Sequence, residues 1–190
     1  MNGKFIEEET FEGLDFSKKG LEKGVYEDCR FVSCNFSNCD LSEISFIECE
    51  FSGCDLSMAR LSKTALRDAI FKNCKLLGLQ FQDCNEMLFS VKFEACQLNL
   101  SSFFGRAMKN TEFINCNLRE VDFTDTELTG TVFDNCDFSA AIFEQTNLEK
   151  CDFRTSYNYT IDPEQNRIKK AKFSKSGLSG LVGKYDIDIE

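Results

Sequence analysis

Leucine or phenylalanine recurs at every fifth position along most of this chain, and we call these the central residues. The run starts at Phe11, fails at Glu86 and resumes two residues out of phase at Leu88. A period of five matches neither a helix, at about 3.6, nor a strand, at 2. Four such units would instead make a 20-residue turn with one unit on each of four sides. The pattern therefore predicts an all-β coil with a square cross-section.

A second inward position lies two residues before each central residue. All 11 cysteines occupy it, and alanine or threonine fills it at eight further positions, so it favours small side chains. The cysteines are Cys29, Cys34, Cys39, Cys49, Cys54, Cys74, Cys84, Cys96, Cys116, Cys136 and Cys151. Packing therefore explains them better than a metal or redox cluster. No C-x-x-C pair is present, although zinc ribbons and iron–sulfur sites depend on such spacing.

Counting by 20, with two extra residues bulging out near Glu86, gives two uniform columns. One side carries only phenylalanine: Phe11, Phe31, Phe51, Phe71, Phe93, Phe113, Phe133, Phe153 and Phe173. The small position of the next side carries Cys34, Cys54, Cys74, Cys96, Cys116 and Cys136. Neither column was used to choose the two-residue shift at Glu86. The uniformity of both columns therefore supports the square coil and the place of the insertion.

Composition excludes several functions. The chain has no histidine, which removes imidazole catalysis and histidine-ligated metal sites. Its carboxylates fall in outward positions, where the shifted pKa of a catalytic acid or base is not expected. We therefore expect no enzyme activity and no cofactor. Glu7, Glu8 and Glu9 stand where a secretory signal would need a basic start and an apolar run, so we expect a cytoplasmic protein.

The net charge of -10 argues against binding to naked nucleic acid or an anionic membrane. Two stretches, 31–59 and 110–153, are especially acidic. They are either a solubilising exterior or a surface that faces a basic partner. The candidate partner-binding residues are Asp40, Glu43, Glu48, Glu50, Asp55, Glu120, Asp122, Asp125, Asp134, Asp137, Glu144 and Glu149.

The break at 84–91 predicts a surface loop containing Glu86, Met87, Leu88 and Phe89. Loops on rigid scaffolds often carry binding residues, but this one is equally consistent with a tolerated bulge. Arg106 falls in an inward position one coil later, on the same side as Glu86. Because an unpaired buried guanidinium is costly, we expect Arg106 to pair with Glu86 or the coil to open there.

The C-terminal tail departs from the repeat after Phe153. Leu178, Leu181 and Val182 have helical spacing, and Tyr185, Ile187 and Ile189 alternate as in a strand. The last coil needs a cap over its open edge. Capping alone accounts for the tail, but capping combined with dimerisation is the preferred interpretation. These six residues are the candidate dimer interface.

The units Cys34–Asn38, Cys39–Glu43 and Cys54–Met58 resemble those of the pentapeptide-repeat family, over roughly residues 11 to 155. That resemblance implies a right-handed quadrilateral β-helix. The tail, with Tyr157–Tyr159, Ile161–Pro163, Asn166, Lys169–Ser174, Gly177–Leu178 and Asp186–Ile187, resembles the C-terminal module of quinolone-resistance (Qnr-type) members.

The same resemblance implies a domain organisation and a function. Residues 1–10 would form an N-terminal cap, 11–155 the β-helix with its loop at 84–91, and 156–190 a capping and dimerisation module with a helix and a strand. Members of the Qnr-type group form tail-to-tail homodimers and bind DNA gyrase or topoisomerase IV. They protect these enzymes from quinolones or other toxins, with DNA mimicry as the proposed mechanism, which implies topoisomerase inhibition and antibiotic resistance. The alternative is a soluble scaffold that binds another protein partner.

Overall fold

Each five-residue unit forms one side of a coil, and the second residue after the central one makes the corner. Asn38, Glu43 and Glu48 occupy this corner position with φ of 57°, 62° and 53°. At one such corner the Cys39 amide donates to the Phe36 carbonyl at 2.9 Å, and a positive φ at the third residue is what a type II turn requires. Four corners return the chain to the next level of the rod.

The computed structural model describes residues 3–87, 89–185 and 187–188. Eleven short strands lie on two of the four sides. They are β1 Lys4–Glu7, β2 Thr10–Glu12, β3 Gly24–Glu27, β4 Arg30–Val32, β5 Ser45–Ile47, β6 Glu50–Ser52, β7 Ala65–Arg67, β8 Ala69–Lys72, β9 Val91–Glu94, β10 Glu112–Ile114 and β11 Val132–Asp134. One α-helix, α1 Ser179–Val182, and two 3-10 segments, Phe81–Asp83 and Gly183–Tyr185, complete the described elements. The predicted all-β right-handed quadrilateral β-helix is confirmed.

All strands pair in parallel with the strand one coil away. One sheet has the order β1-β3-β5-β7 and the other the order β11-β10-β9-β8-β6-β4-β2. Phe31 pairs with Phe51, an offset of 20 residues, but Phe71 pairs with Phe93, an offset of 22. The insertion therefore lies where the sequence predicts it, and the register on both sides of it is regular.

We number the sides by their first central residues: side 1 from Phe11, side 2 from Phe16, side 3 from Leu21 and side 4 from Tyr26. On sides 2 and 3 the coils are joined by single parallel bridges rather than strands, for example Asn35 with Asp55 and Ser102 with Asp122. Every side thus contributes backbone pairing along the rod.

The core is a set of stacked aromatic columns. On side 1 the Phe31 and Phe51 rings stack at 4.8 Å and the Phe113 and Phe133 rings at 5.1 Å. Side 3 has its own aromatic column, in which Phe81 and Phe103 stack at 4.5 Å. This spacing matches the distance of about 4.8 Å between neighbouring strands. Coil pairing and ring stacking therefore favour the same geometry.

The small inward positions are also polar donors. The Cys54 thiol donates to the Phe31 carbonyl at 3.2 Å, and the Thr126 hydroxyl donates to the Phe103 carbonyl at 3.0 Å. All 11 cysteines are buried and free. Burial raises the pKa of the Cys49 and Cys151 thiols to about 12, which makes these thiols poor nucleophiles at neutral pH.

The tail folds back over the last coil. The Ile161 amide donates to the Gly180 carbonyl at 2.9 Å. Glycine is needed at position 180 because a Cβ there would lie 2.1 Å from the Tyr159 carbonyl oxygen. The predicted helix is present as α1. Of the residues expected to form a strand from Tyr185 onward, Tyr185 ends a 3-10 segment and 187–188 have no regular structure, while 186 and 189–190 lie outside the described residues.

Candidate partner-binding surface

Four of the predicted acidic residues are engaged in shaping the coil. The Asp40, Asp55, Asp122 and Asp137 carboxylates each accept a hydrogen bond from the amide two residues later, at 2.8 to 3.0 Å. These contacts are the side-chain turns that aspartate favours. Hydrogen bonds from Ser42 lower the pKa of Asp40. These aspartates therefore have a structural role besides any contact with a partner.

Other predicted acids form ion pairs along the rod. Glu50 pairs with Lys72 at 2.8 Å and Glu149 with Arg167 at 2.7 Å. Glu120 pairs with its neighbour Arg119 at 3.1 Å. Exposed pairs of this kind contribute only about 0 to 1 kcal/mol. Their main consequence here is to reduce the negative field that a partner meets at these positions.

The remaining predicted acids are better exposed. Glu43, Glu48 and Asp125 are at left-handed corner positions with open side chains, and Glu144 is exposed on side 3. Asp134 is exposed too, although it accepts a hydrogen bond from the Thr155 hydroxyl at 2.8 Å. Within the candidate set, these carboxylates are the most accessible to a basic partner.

The two acidic stretches wrap around the rod because consecutive units lie on consecutive sides. Side 3 holds the largest share, with Asp40, Glu43, Asp122, Asp125 and Glu144. The other seven are divided among sides 1, 2 and 4. The structure therefore does not gather each stretch into one patch, but it does place two acidic groups on side 3, separated by the three coils of Leu61, Phe81 and Phe103.

Counting charge along the sequence missed one column. Glu8, Asp28, Glu48 and Asp68 occupy the same corner of side 4 on successive coils, with φ of 56°, 48°, 53° and 52°. Only Glu48 belongs to the predicted set. The other three could have been found by counting acids at the 20-residue period, because residues 20 apart share a corner.

The loop at 84–91 is held against the rod. Glu86 is exposed and Met87 is 76% exposed, whereas Phe89 packs partly into the core, with its ring 6.4 Å from that of Phe81. Leu88 lies outside the described residues. A small cavity of about 130 Å³ is lined by Glu86, Phe89, Gly105, Arg106 and Ala107.

The expected ion pair between Arg106 and Glu86 is wrong. Arg106 is 4% exposed, and its guanidinium donates to the backbone carbonyls of Phe81, Gln82 and Cys84. The Nε contact with Phe81 measures 2.9 Å. Carbonyl oxygens of the displaced chain satisfy the buried cation, so neither a carboxylate nor an open coil is needed.

The candidate dimer residues divide into two groups. Leu178, Tyr185 and Ile187 are 50%, 54% and 57% exposed. Leu181 instead packs against the core of its own chain, and Val182 is half-buried. Ile189 lies outside the described residues. Tyr185 is tied to the last coil through a hydrogen bond from its hydroxyl to Glu164 at 3.0 Å.

Within the described residues, no cluster of three or more cysteine, aspartate or glutamate side chains is arranged to hold a metal ion. A recess of about 760 Å³ forms an open groove between residues 156–160 and the tail at 174–180. No helix in the described ranges has the length and apolar character to cross a membrane.

Comparisons with known proteins agree with this geometry. Solved structures of QnrB1, described as a plasmid-mediated fluoroquinolone resistance protein, are similar in fold. A trypsin-treated variant aligns at 21% identity and TM-score 0.51, covering 98% of this chain and 100% of QnrB1. HetL, a pentapeptide repeat protein involved in heterocyst differentiation regulation from the cyanobacterium Nostoc, aligns at 13% identity and TM-score 0.44, covering 88% of this chain and 86% of HetL. A search of curated proteins found no match.

Two family models match the sequence itself. The first describes a pentapeptide repeat region and matches residues 25–103. The second describes pentapeptide repeats and matches residues 108–154. The interval between them falls one coil after the insertion. With the five-residue sides, the stacked central residues and the small inward column, these matches establish that the chain belongs to the pentapeptide-repeat family.

Proposed function

We propose that this chain is a non-enzymatic rod that binds a type II topoisomerase, DNA gyrase or topoisomerase IV, and protects it from quinolones or other topoisomerase toxins. The observation that carries the proposal is that side 3 of the rod holds the largest share of the candidate carboxylates, with Glu43, Asp125 and Glu144 exposed. A basic DNA-binding surface is the kind of partner that such a rod fits electrostatically. QnrB1, a fluoroquinolone resistance protein with a similar fold, supports the same assignment.

The charge density limits how far electrostatics alone can act. The eight stacked pairs from Phe11 to Phe173 span about 38 Å at about 4.8 Å each. A net charge of -10 over that length is about one charge per 4 Å, against one per about 1.7 Å in duplex DNA. Shape and loop contacts must supply the remaining affinity.

The domain organisation belongs to the same proposal. Residues 11–155 would present the acidic surface, 1–10 would cap the first coil, and 156–190 would cap the last coil and join two chains tail to tail. Exposed Leu178, Tyr185 and Ile187 support such an interface because large apolar side chains at one end of a rod suit contact with a second copy. A topoisomerase partner also implies a cytoplasmic protein.

Side 3 is the proposed partner-facing side. The test is a gyrase supercoiling assay with and without a quinolone, comparing two triple variants of equal charge change. Glu43→Gln, Asp125→Asn and Glu144→Gln neutralise side 3, whereas Glu8→Gln, Asp28→Asn and Glu48→Gln neutralise the side 4 corner. All six positions avoid the turn-forming aspartates, so the coil should stay intact.

We expect the side 3 variant to lose at least about tenfold in apparent affinity, roughly 1.4 kcal/mol, and the side 4 variant to stay near the parent. Loss by the side 4 variant alone would refute side 3 as the contact. If the parent protein neither inhibits gyrase nor protects it at micromolar concentration, the topoisomerase proposal is wrong and a scaffold for another protein partner takes its place.

A further inference from the structure

Among the described residues, Arg106 is the longest donor in its column, where Asn166 also reaches a second carbonyl, that of Asp162. Thr64, Thr126 and Thr146 occupy the same inward position of side 4 on other coils. Each hydroxyl donates to the backbone carbonyl of the side 3 central residue one coil earlier. Arg106 repeats that bond through Nε to Phe81. The long side chain then continues to two more carbonyls, those of Gln82 and Cys84.

The insertion explains why the extra donors are needed. The coil departs from the regular pattern at the 3-10 turn Phe81–Asp83. The Lys63 amide donates to the Asp83 carbonyl at 2.7 Å, whereas the equivalent Glu43 amide one coil earlier donates to the carbonyl of Ser62, the counterpart of Gln82. The Asn85 amide still donates to the Thr64 carbonyl at 2.9 Å. Glu86 and Met87 then leave the coil and are exposed. Carbonyls that precede such a departure lose regular partners, and a buried carbonyl without a donor is costly. The Arg106 guanidinium supplies donors at this point.

The same guanidinium holds the far side of the loop. The Arg106 Cζ atom lies 5.3 Å from the centre of the Phe89 ring, within the range of a cation–π contact. The Phe89 ring in turn meets the Phe81 ring edge to face. Arg106 therefore contacts the chain both before and after Glu86 and Met87, and these two residues form the projecting tip between the fixed points.

We infer that Arg106 is a positioning residue: it fastens the insertion at both ends and presents Glu86 and Met87 as a preorganised contact for the partner. Fixing a loop in its bound geometry lowers the entropy cost of association. The fastening follows from the contacts alone, while its benefit to binding rests on the proposed topoisomerase function.

Amide hydrogen exchange tests the fastening without any partner. Arg106→Thr installs the residue found elsewhere in the column, so the bond to Phe81 can be kept while those to Gln82 and Cys84 and the contact with Phe89 are lost. We expect exchange at the Met87, Phe89 and Ser90 amides to rise about tenfold, the factor for one lost hydrogen bond to a charged group. Arg106→Lys, which keeps the charge but not the planar fork, should give a smaller rise.

Thr126→Val is the matched control, because it removes one regular donor from the same column and should leave the loop amides unchanged. Unchanged exchange at Met87, Phe89 and Ser90 in Arg106→Thr would overturn the inference. An equal rise in Thr126→Val would overturn it as well, because the effect would then belong to the column and not to the arginine.

A double-mutant cycle in gyrase binding tests the link to the partner. Arg106→Thr and Met87→Ala should each weaken binding, and the double variant should be no weaker than Met87→Ala alone, because a loosened loop matters only if its tip makes contact. Additive losses would refute action through the loop. If the parent protein does not bind gyrase, the proposed function fails while the exchange experiment still decides the fastening.

Discussion

The phenylalanine column of side 1 allows the stability of the rod to be predicted from its stacking. Phe113 is fully buried and lies between Phe93 at 5.0 Å and Phe133 at 5.1 Å. Phe11 is half-buried at the start of the column, where the next ring along it is Phe31, at 4.9 Å. Replacing each by alanine therefore compares two stacked neighbours with one.

The magnitudes follow from burial. Truncating a fully buried phenylalanine costs about 3 to 5 kcal/mol, and aromatic pairs add about 0.5 to 1.5 kcal/mol each beyond their buried area. Phe113→Ala, which creates a cavity and leaves two rings without their stacking partner, should cost about 5 kcal/mol. Phe11→Ala should cost about half as much, because its site is open on one face. Phe113→Leu should cost about 1.5 kcal/mol, because a bulky apolar side chain still fills the position.

Urea unfolding followed by circular dichroism measures these differences, and hydrogen exchange at residues 91–94 and 132–134 shows whether the loss is confined to adjacent coils. An equal cost for Phe11→Ala and Phe113→Ala would contradict this prediction, because the number of stacked neighbours would then not determine stability. An equal cost for Phe113→Leu and Phe113→Ala would contradict it as well, because ring stacking would then outweigh cavity formation.

Two further predictions concern pH and assembly. A hydrogen bond from Arg154 lowers the pKa of Asp152 to about 2. This carboxylate therefore stabilises the fold above its ordinary pKa near 4 and loses that contribution as the pH falls toward 2. In urea titrations the stability difference between the parent and Asp152→Asn should be largest at neutral pH and vanish near pH 2, and a constant difference would contradict this. Leu178→Asp and Ile187→Asp, both at exposed positions of the tail, should yield monomers in sedimentation velocity. Leu100→Asp, at a position 59% exposed on a distant coil, should leave the dimer intact. An unchanged dimer in both tail variants would show that these residues are not in the interface.

The repeat made the core and the register predictable from sequence. Phe71 and Phe93 pair across the insertion as the 20-residue count requires once two residues are set aside. Phe5 and Phe104, which fall outside the central positions, are indeed 59% and 49% exposed. The burial of a residue can be predicted here because each position of the five-residue unit has the same environment in every coil.

The candidate site was less predictable because its properties depend on neighbours one coil away. The sequence predicts only a surface charge at Asp55, but its carboxylate accepts a hydrogen bond from the Ser57 amide at 2.9 Å and forms part of a turn. The sequence indicates that Arg106 needs a carboxylate partner. Backbone carbonyls satisfy it instead: that of Phe81, as in the regular coils, and those of Gln82 and Cys84 beside the insertion. Tyr185 alternates as in a strand, but its hydrogen bond to Glu164 holds it in a turn of 3-10 helix.

The change of offset from 20 to 22 residues at the insertion has a consequence for folding. A chain built from near-identical levels can pair with the wrong neighbour, and a slip by one whole level would keep phenylalanine on phenylalanine and cysteine on cysteine. Such a slip would carry the projecting tip of the loop away from Arg106 and leave that cation buried beneath a regular level with no room for it. The coil that contains the insertion therefore fixes the register and gives an otherwise repetitive chain a single lowest-energy alignment.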